Sequence, residues 1–264
     1  MKGRLIYIYF IINFLSVVSL YSESSEFGHP LRIEPAGIYN KVRVDGGYTE
    51  RKASNIFEKD RNLSAEGEFI FLDKFSIKGG GGATKYNSTN TNPTLQNDRW
   101  NLGLKYANET GGKLRFVWGG GVRVFNKQIG ENPRYDVAPD LYLVRPNLSL
   151  GFGIGILEFQ ADLSMLSETN TKFREANNKD FRRFYQAGGL VSLNLGSLRL
   201  LLESEYRVPY DKEVDSRSRF WNVYPGISYK IFDKSMISLS GQFPVNGEVG
   251  EQGRGFRFSF FQFF

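Results

Sequence analysis

The chain has 264 residues, 41% of them hydrophobic, and a mean hydropathy of -0.36, which excludes an all-helical membrane protein. Its formal charge of +6 falls to +4 once Lys2 and Arg4 leave with residues 1–22, too mild an excess to point to nucleic acid. With no cysteine and a single histidine, His29, no disulfide, thiolate chemistry or multi-histidine metal site is expected, and no cofactor motif is present.

The first 22 residues read as an export signal. Lys2 and Arg4 precede a mostly apolar run from Leu5 to Val18, and small residues follow around Ser19 and Ser22. Residues 23–35 read as a short periplasmic segment, and 36–264 as one domain.

In that domain, stretches of alternating apolar and polar residues recur at 36–47, 62–72, 75–87, 98–108, 112–126, 139–152, 155–166, 181–194, 197–208, 218–231, 235–243 and 253–264. A period of two is the strand signal. Short turns near 73–74, 108–111, 153–154, 196 and 233–234 alternate with long polar connections at 48–61, 88–97, 127–138, 167–180, 209–217 and 244–252. This predicts an all-β fold, a transmembrane antiparallel up-and-down β-barrel of twelve strands, with ten or fourteen as alternatives. One rim is tight, the other is rich in loops, and an even count puts both termini on the tight rim.

The two faces of each strand separate cleanly. Trp100, Leu102, Leu104 and Tyr106 share one face of their strand, as do Leu157, Phe159, Ala161 and Leu163 of theirs. The opposite faces carry full charges in mid-strand. A Lys or Arg facing lipid at mid-bilayer costs roughly 2–4 kcal/mol, so these side chains are expected to line the lumen. The basic ones are Lys41, Arg43, Lys78, Arg99, Lys105, Arg115, Arg123, Arg145, Arg199, Arg207, Lys230 and Arg257. The acidic ones are Asp45, Glu66, Glu68, Glu158, Asp162, Glu203 and Glu205. Glycines at 79–82 and 119–121 lie within strand patterns, where they permit sharp coiling or leave room for long interior side chains. Pro146 and Pro225 interrupt otherwise good strands and have no account at this level.

The export signal, the amphipathic strands and the terminal GFRFSFFQFF resemble those of Gram-negative outer-membrane β-barrel proteins, in the twelve-stranded porin and channel size class. The resemblance implies location in the bacterial outer membrane with both termini periplasmic. Outer-membrane lipids surround such a chain, and the barrel-assembly machinery reads its last strand. Phe256, Phe258, Phe260 and Phe264 match the alternating outward positions of that assembly signal, while Gln262 departs from it.

Twelve bases against seven acids favour a narrow, weakly anion-favouring diffusion channel for small polar or anionic solutes. A monomer is expected, with an oligomer as the alternative. The alternative to a channel is a closed structural or surface-adhesive barrel that binds partners through its outer loops. An outer-membrane enzyme is the least supported reading. A serine nucleophile normally needs a histidine base, and His29 lies ahead of the barrel, which leaves only a carboxylate pair such as Asp162 with Glu203.

Overall fold

The computed structural model describes residues 29–30, 34–53, 56–89, 91–111, 114–128, 140–169, 183–209, 220–247 and 253–264. The expected export signal lies outside them. Twelve strands follow in chain order: β1 (Lys41–Ala53), β2 (Ile56–Leu72), β3 (Phe75–Ser88), β4 (Thr91–Thr110), β5 (Leu114–Gln128), β6 (Asp140–Ile154), β7 (Leu157–Glu168), β8 (Arg183–Leu195), β9 (Leu198–Pro209), β10 (Phe220–Phe232), β11 (Ser235–Gly247) and β12 (Arg254–Phe263). Each pairs antiparallel with its chain neighbours, and β12 closes the ring on β1 from Lys41↔Phe263 to Glu50↔Arg254. Closure leaves no open sheet edge, which is the condition for a sheet to cross hydrocarbon.

Four of the hairpin loops at the tight rim, 73–74, 155–156, 196–197 and 233–234, have two residues. Gly155 and Gly196 stand first in two of them with φ of 57° and 79°, the left-handed conformation that primed turns require and a Cβ would strain. Both ends of the barrel chain lie at this rim, where the Phe264 N–H donates to the Asn40 carbonyl at 3.1 Å.

Two expected loops are strand. β1 and β2 stay paired out to Ala53↔Ile56, and β3 and β4 out to Ser88↔Thr91, so 48–61 and 88–97 are largely hairpin wall. The reason is physical. Beyond the hydrocarbon layer a strand has no apolar face to show, so loss of apolar alternation marked the edge of the lipid belt rather than the end of the ladder. Residues 36–40, expected to open the first strand, precede β1 and are not strand. The other long connections fall mostly outside the described residues.

The outer surface confirms the facing assignment. Leu102, Leu104, Leu148, Leu150, Leu163, Leu200, Leu202 and Phe258 are all exposed on it. Aromatics gather at both edges of this belt. Phe75, Tyr106 and Trp118 touch near the tight rim, with ring centroids 5.2 and 5.3 Å apart, and Trp100 meets Tyr142 at 6.4 Å near the other. Above that second edge, outward charge returns with Glu50 and Lys59, paired at 3.5 Å, and with Arg61. Leu148 is 68% exposed in the middle of β6. Leu148→Arg is expected to destabilise the folded barrel by about 2–4 kcal/mol, read as a shift of the urea midpoint in lipid vesicles.

The two prolines find their account here. Each continues the ladder on one side, as Val122↔Pro146 and Pro225↔Leu202. On the other side the ladder lapses, between Val144 and Asn147 against β7 and between Val223 and Gly226 against β11. A proline has no N–H to give, and in each strand the missing rungs fall on one edge.

Candidate functional site in the barrel lumen

Interior side chains form rows that run across strands. Pairing carries one row from Lys41 through Glu68, Lys78 and Gly103 to Arg123 and Arg145. Glu68, fully buried, accepts from Ser76 at 2.9 Å, forms an ion pair with Lys41 at 3.2 Å and lies 3.6 Å from Lys78. Gly103 lets Arg123 lie across β4, since a Cβ there would stand 3.2 Å from the Arg123 Cγ. Arg123 thereby reaches Asn101 at 2.7 Å and, beyond it, Glu66 on β2. Arg145 turns the other way, to Asp162 at 3.1 Å.

A second row runs from Arg115 through Gly153 to Glu158 and Ser192. Arg115 passes over Gly153, where a Cβ would stand 3.1–3.4 Å from its guanidinium, and donates to Glu158 at 2.7 Å. Glu158 is fully buried, accepts from Ser192 at 3.0 Å and has Arg199 at 3.9 Å. The interior also holds apolar contacts, Leu190 with Leu201 and Met236 with Phe261 and Phe263.

The segment expected to lie outside in the periplasm enters this interior. His29, 2% exposed, rests against Tyr39, Phe263 and Phe261 at ring separations of 4.6, 4.8 and 5.4 Å. Neither of its ring nitrogens has a hydrogen-bond partner among the described residues. Glu34 meets Lys78 directly, Lys105 at 3.6 Å and Arg123 at 4.0 Å. Lys105 also donates to the Pro35 and Gly37 carbonyls, the latter at 2.7 Å, and the Ala36 N–H donates to Gln160 at 2.9 Å. Ala36 itself packs on Ala107 and Val117. Arg43 holds the Pro30 carbonyl at 3.3 Å. The cause is charge. Lys78, Lys105 and Arg123 converge on one part of the wall, and a carboxylate from the preceding chain balances them.

Burial alone would raise the Glu34 carboxyl, but Lys78, then Lys105 and Arg123, hold it well below the usual carboxylate range. Burial pushes the His29 imidazole well below its ordinary value, and the cations Lys41, Arg199, Arg43 and Lys105 push the same way.

Lys78, Lys105, Glu158, Asp162, Arg199 and Glu203 are buried in the lumen, and Arg43, Arg115, Arg123 and Arg145 are part-buried in its pairs. Arg207 stacks on Phe184 at 4.0 Å, and Arg257 is half-buried on the inner side of β12. Lys230 differs. It is exposed at the tight rim, 3.8 Å from Asp233 of the turn, because its strand has left the interior there. The side chain of Arg99 lies outside the described residues. Asp162 and Glu203 are not level. Pairing sets Asp162 in line with Gly188 and Glu205, and Glu203 in line with Leu190 and Gln160. On β12, Phe256 and Phe258 are exposed outward and Phe260 is half-buried on that face, and Phe264, just past the strand, is exposed. Gln262, the odd residue of that strip, sits at the rim and accepts from Ser235 at 2.7 Å. Glu34 and its neighbours escape sequence reading, since nothing in EPAG repeats or alternates.

No family model and no curated protein matches the chain. Solved structures do. An outer membrane channel from Pseudomonas putida F1 superposes with a TM-score of 0.66 at 8% identity, over 90% of this chain and all of the other. The NanC porin gives 0.55 at 10% identity over 84% of this chain and 99% of the other. The transport unit of the autotransporter AIDA-I from Escherichia coli gives 0.52 at 11% identity, over 95% and 97%. At such identities the likeness shows the fold alone. That fold is the closed twelve-stranded antiparallel β-barrel of outer-membrane porins and channels.

Proposed function

We propose that this chain is an outer-membrane barrel that rests closed, and that it meets other molecules chiefly at its loop end. The observation that carries the first part is the seat of Glu34 among Lys78, Lys105 and Arg123. A chain segment fixed there by a carboxylate, three backbone contacts and the Ala36 packing stands in the path a solute would take. The wall charges also spend themselves on each other, as Arg115 with Glu158 and Arg145 with Asp162. The second part rests on β1–β4, which continue past the outward charges Glu50, Lys59 and Arg61 as paired polar sheet. The tight rim and both chain ends then face the periplasm. The outward Phe256, Phe258, Phe260 and Phe264 serve barrel assembly.

In planar bilayers at neutral pH, the intact protein is expected to stay closed. Removal of residues 23–37 is expected to produce stepwise conductance. Steady open conductance from the intact protein would sink the closed reading in favour of the anion-favouring pore.

A further inference from the structure

We infer that Lys78, Lys105 and Arg123 form a binding site for a small organic monocarboxylate, and that Glu34 occupies it as a tethered stand-in for that solute. The inference rests on the closed reading above. Its first support is the bonding of Lys105. This lysine is 3% exposed, and among the described residues its ion pair and hydrogen bonds lie on the segment: the Glu34 carboxylate and the Pro35 and Gly37 carbonyls. When the segment leaves, a buried ammonium loses all of them. A buried charge without a partner is costly, so the emptied seat favours another anion.

The second support is the local balance. Lys78 already faces Glu68 at 3.6 Å, and Arg123 already meets Glu66. Three cations therefore face two wall acids, one of which, Glu68, also serves Lys41 at 3.2 Å, and Glu34 brings a further negative charge. Its departure leaves an excess of positive charge, which suits an anion. A dianion would meet Glu66 and Glu68 at once. Glu34 also fixes the chemistry of the ligand, because the group the site holds is a carboxylate reached by one branch of alkyl chain. Tethering makes Glu34 a strong competitor, since it binds at the effective concentration of an attached ligand. A free carboxylate must then displace it, and its apparent affinity is reduced by the fraction of molecules whose seat is empty.

The absence of cysteine from the chain makes the test direct. Ile38→Cys, on the segment and partly buried, reports release through its reaction rate with a water-soluble maleimide. Sodium gluconate is expected to raise that rate several-fold and saturably, while glucose and equal sodium chloride leave it unchanged. In Glu34→Gln, checked for intact heat-modifiable migration, calorimetry is expected to show gluconate binding about tenfold tighter than in the parent, because the seat stands empty more often. Adding Lys105→Gln should abolish that binding. The inference is overturned if Glu34→Gln binds no gluconate, or if sodium chloride accelerates labelling as much as gluconate does. Conductance of the intact protein separates the two failures. A silent barrel whose Glu34→Gln form ignores gluconate loses the site and keeps the closed state.

Discussion

Glu158→Ala is expected to destabilise the barrel by about 3–5 kcal/mol, the largest single loss among its interior positions. The carboxylate is fully buried and is the partner of Arg115 at 2.7 Å and of Arg199 at 3.9 Å, with Ser192 as a further donor. Truncation removes the buried carboxylate that Arg115 and Arg199 share and leaves their positive charges facing each other across the space. Glu158→Gln keeps an acceptor for Arg115 and Ser192 and is expected to lose less. The measurement is the urea midpoint of folding in vesicles, with heat-modifiable migration as the folded reference. A loss below about 1 kcal/mol would mean that water or another carboxylate already serves these arginines.

Acid is expected to loosen the N-terminal segment, and the sign follows from His29. Burial first, then Lys41, Arg199, Arg43 and Lys105, depress the affinity of the seated imidazole for a proton. Its other neighbours, Tyr39, Phe261 and Phe263, are uncharged rings. The seated histidine is therefore neutral, while a released one titrates near the ordinary value of about 6.5. Seating is fully favourable above that pH. It weakens by up to about tenfold per unit as pH falls from there toward the depressed value. Glu34 acts in the opposite window. Its carboxyl is held well below the usual range, so its contribution persists through mild acid and fails only as pH falls through that lowered value. Between pH 7 and 5 the histidine is expected to contribute to the slope, and Glu34 is not. Labelling of Ile38→Cys across this range should accelerate with acid, and His29→Phe should flatten the profile. A flat profile in the parent would place the imidazole in contact with water.

The period-two pattern was enough to read the ring, the facing and the tight rim, because the lipid belt demands apolar residues on alternate positions and nothing else. It assigned Arg115, Glu158 and Asp162 to the charged face; Glu158 and Asp162 are buried and Arg115 pairs with Glu158. It misread 48–61 and 88–97, where strand pairing outlives the belt that writes the pattern. It was blind to Glu34 for a different reason. The seat of Glu34 is assembled from β3, β4 and β5 and from a segment outside all of them. Period two tells which way a side chain points and not how far it reaches. Lys230 shows the same limit, with the inward parity but a position beyond the wall. Pro146 and Pro225 needed the ladders themselves, since only pairing on both sides tells which edge lacks its rungs.

The glycine beneath Arg115 bears on how such a barrel changes over generations. Arg115, Gly153 and Glu158 lie on three strands yet behave as one object, because the arm of the first crosses the bare backbone of the second to reach the third. A larger residue at 153 would crowd the arm and part Arg115 from Glu158. The heritable unit of the interior is thus a crosswise triplet rather than a residue or a strand. Drift should replace its members together, as when an alanine at 153 arrives with a shorter side chain at 115. Two such barrels can then keep one fold while sharing hardly any aligned letters.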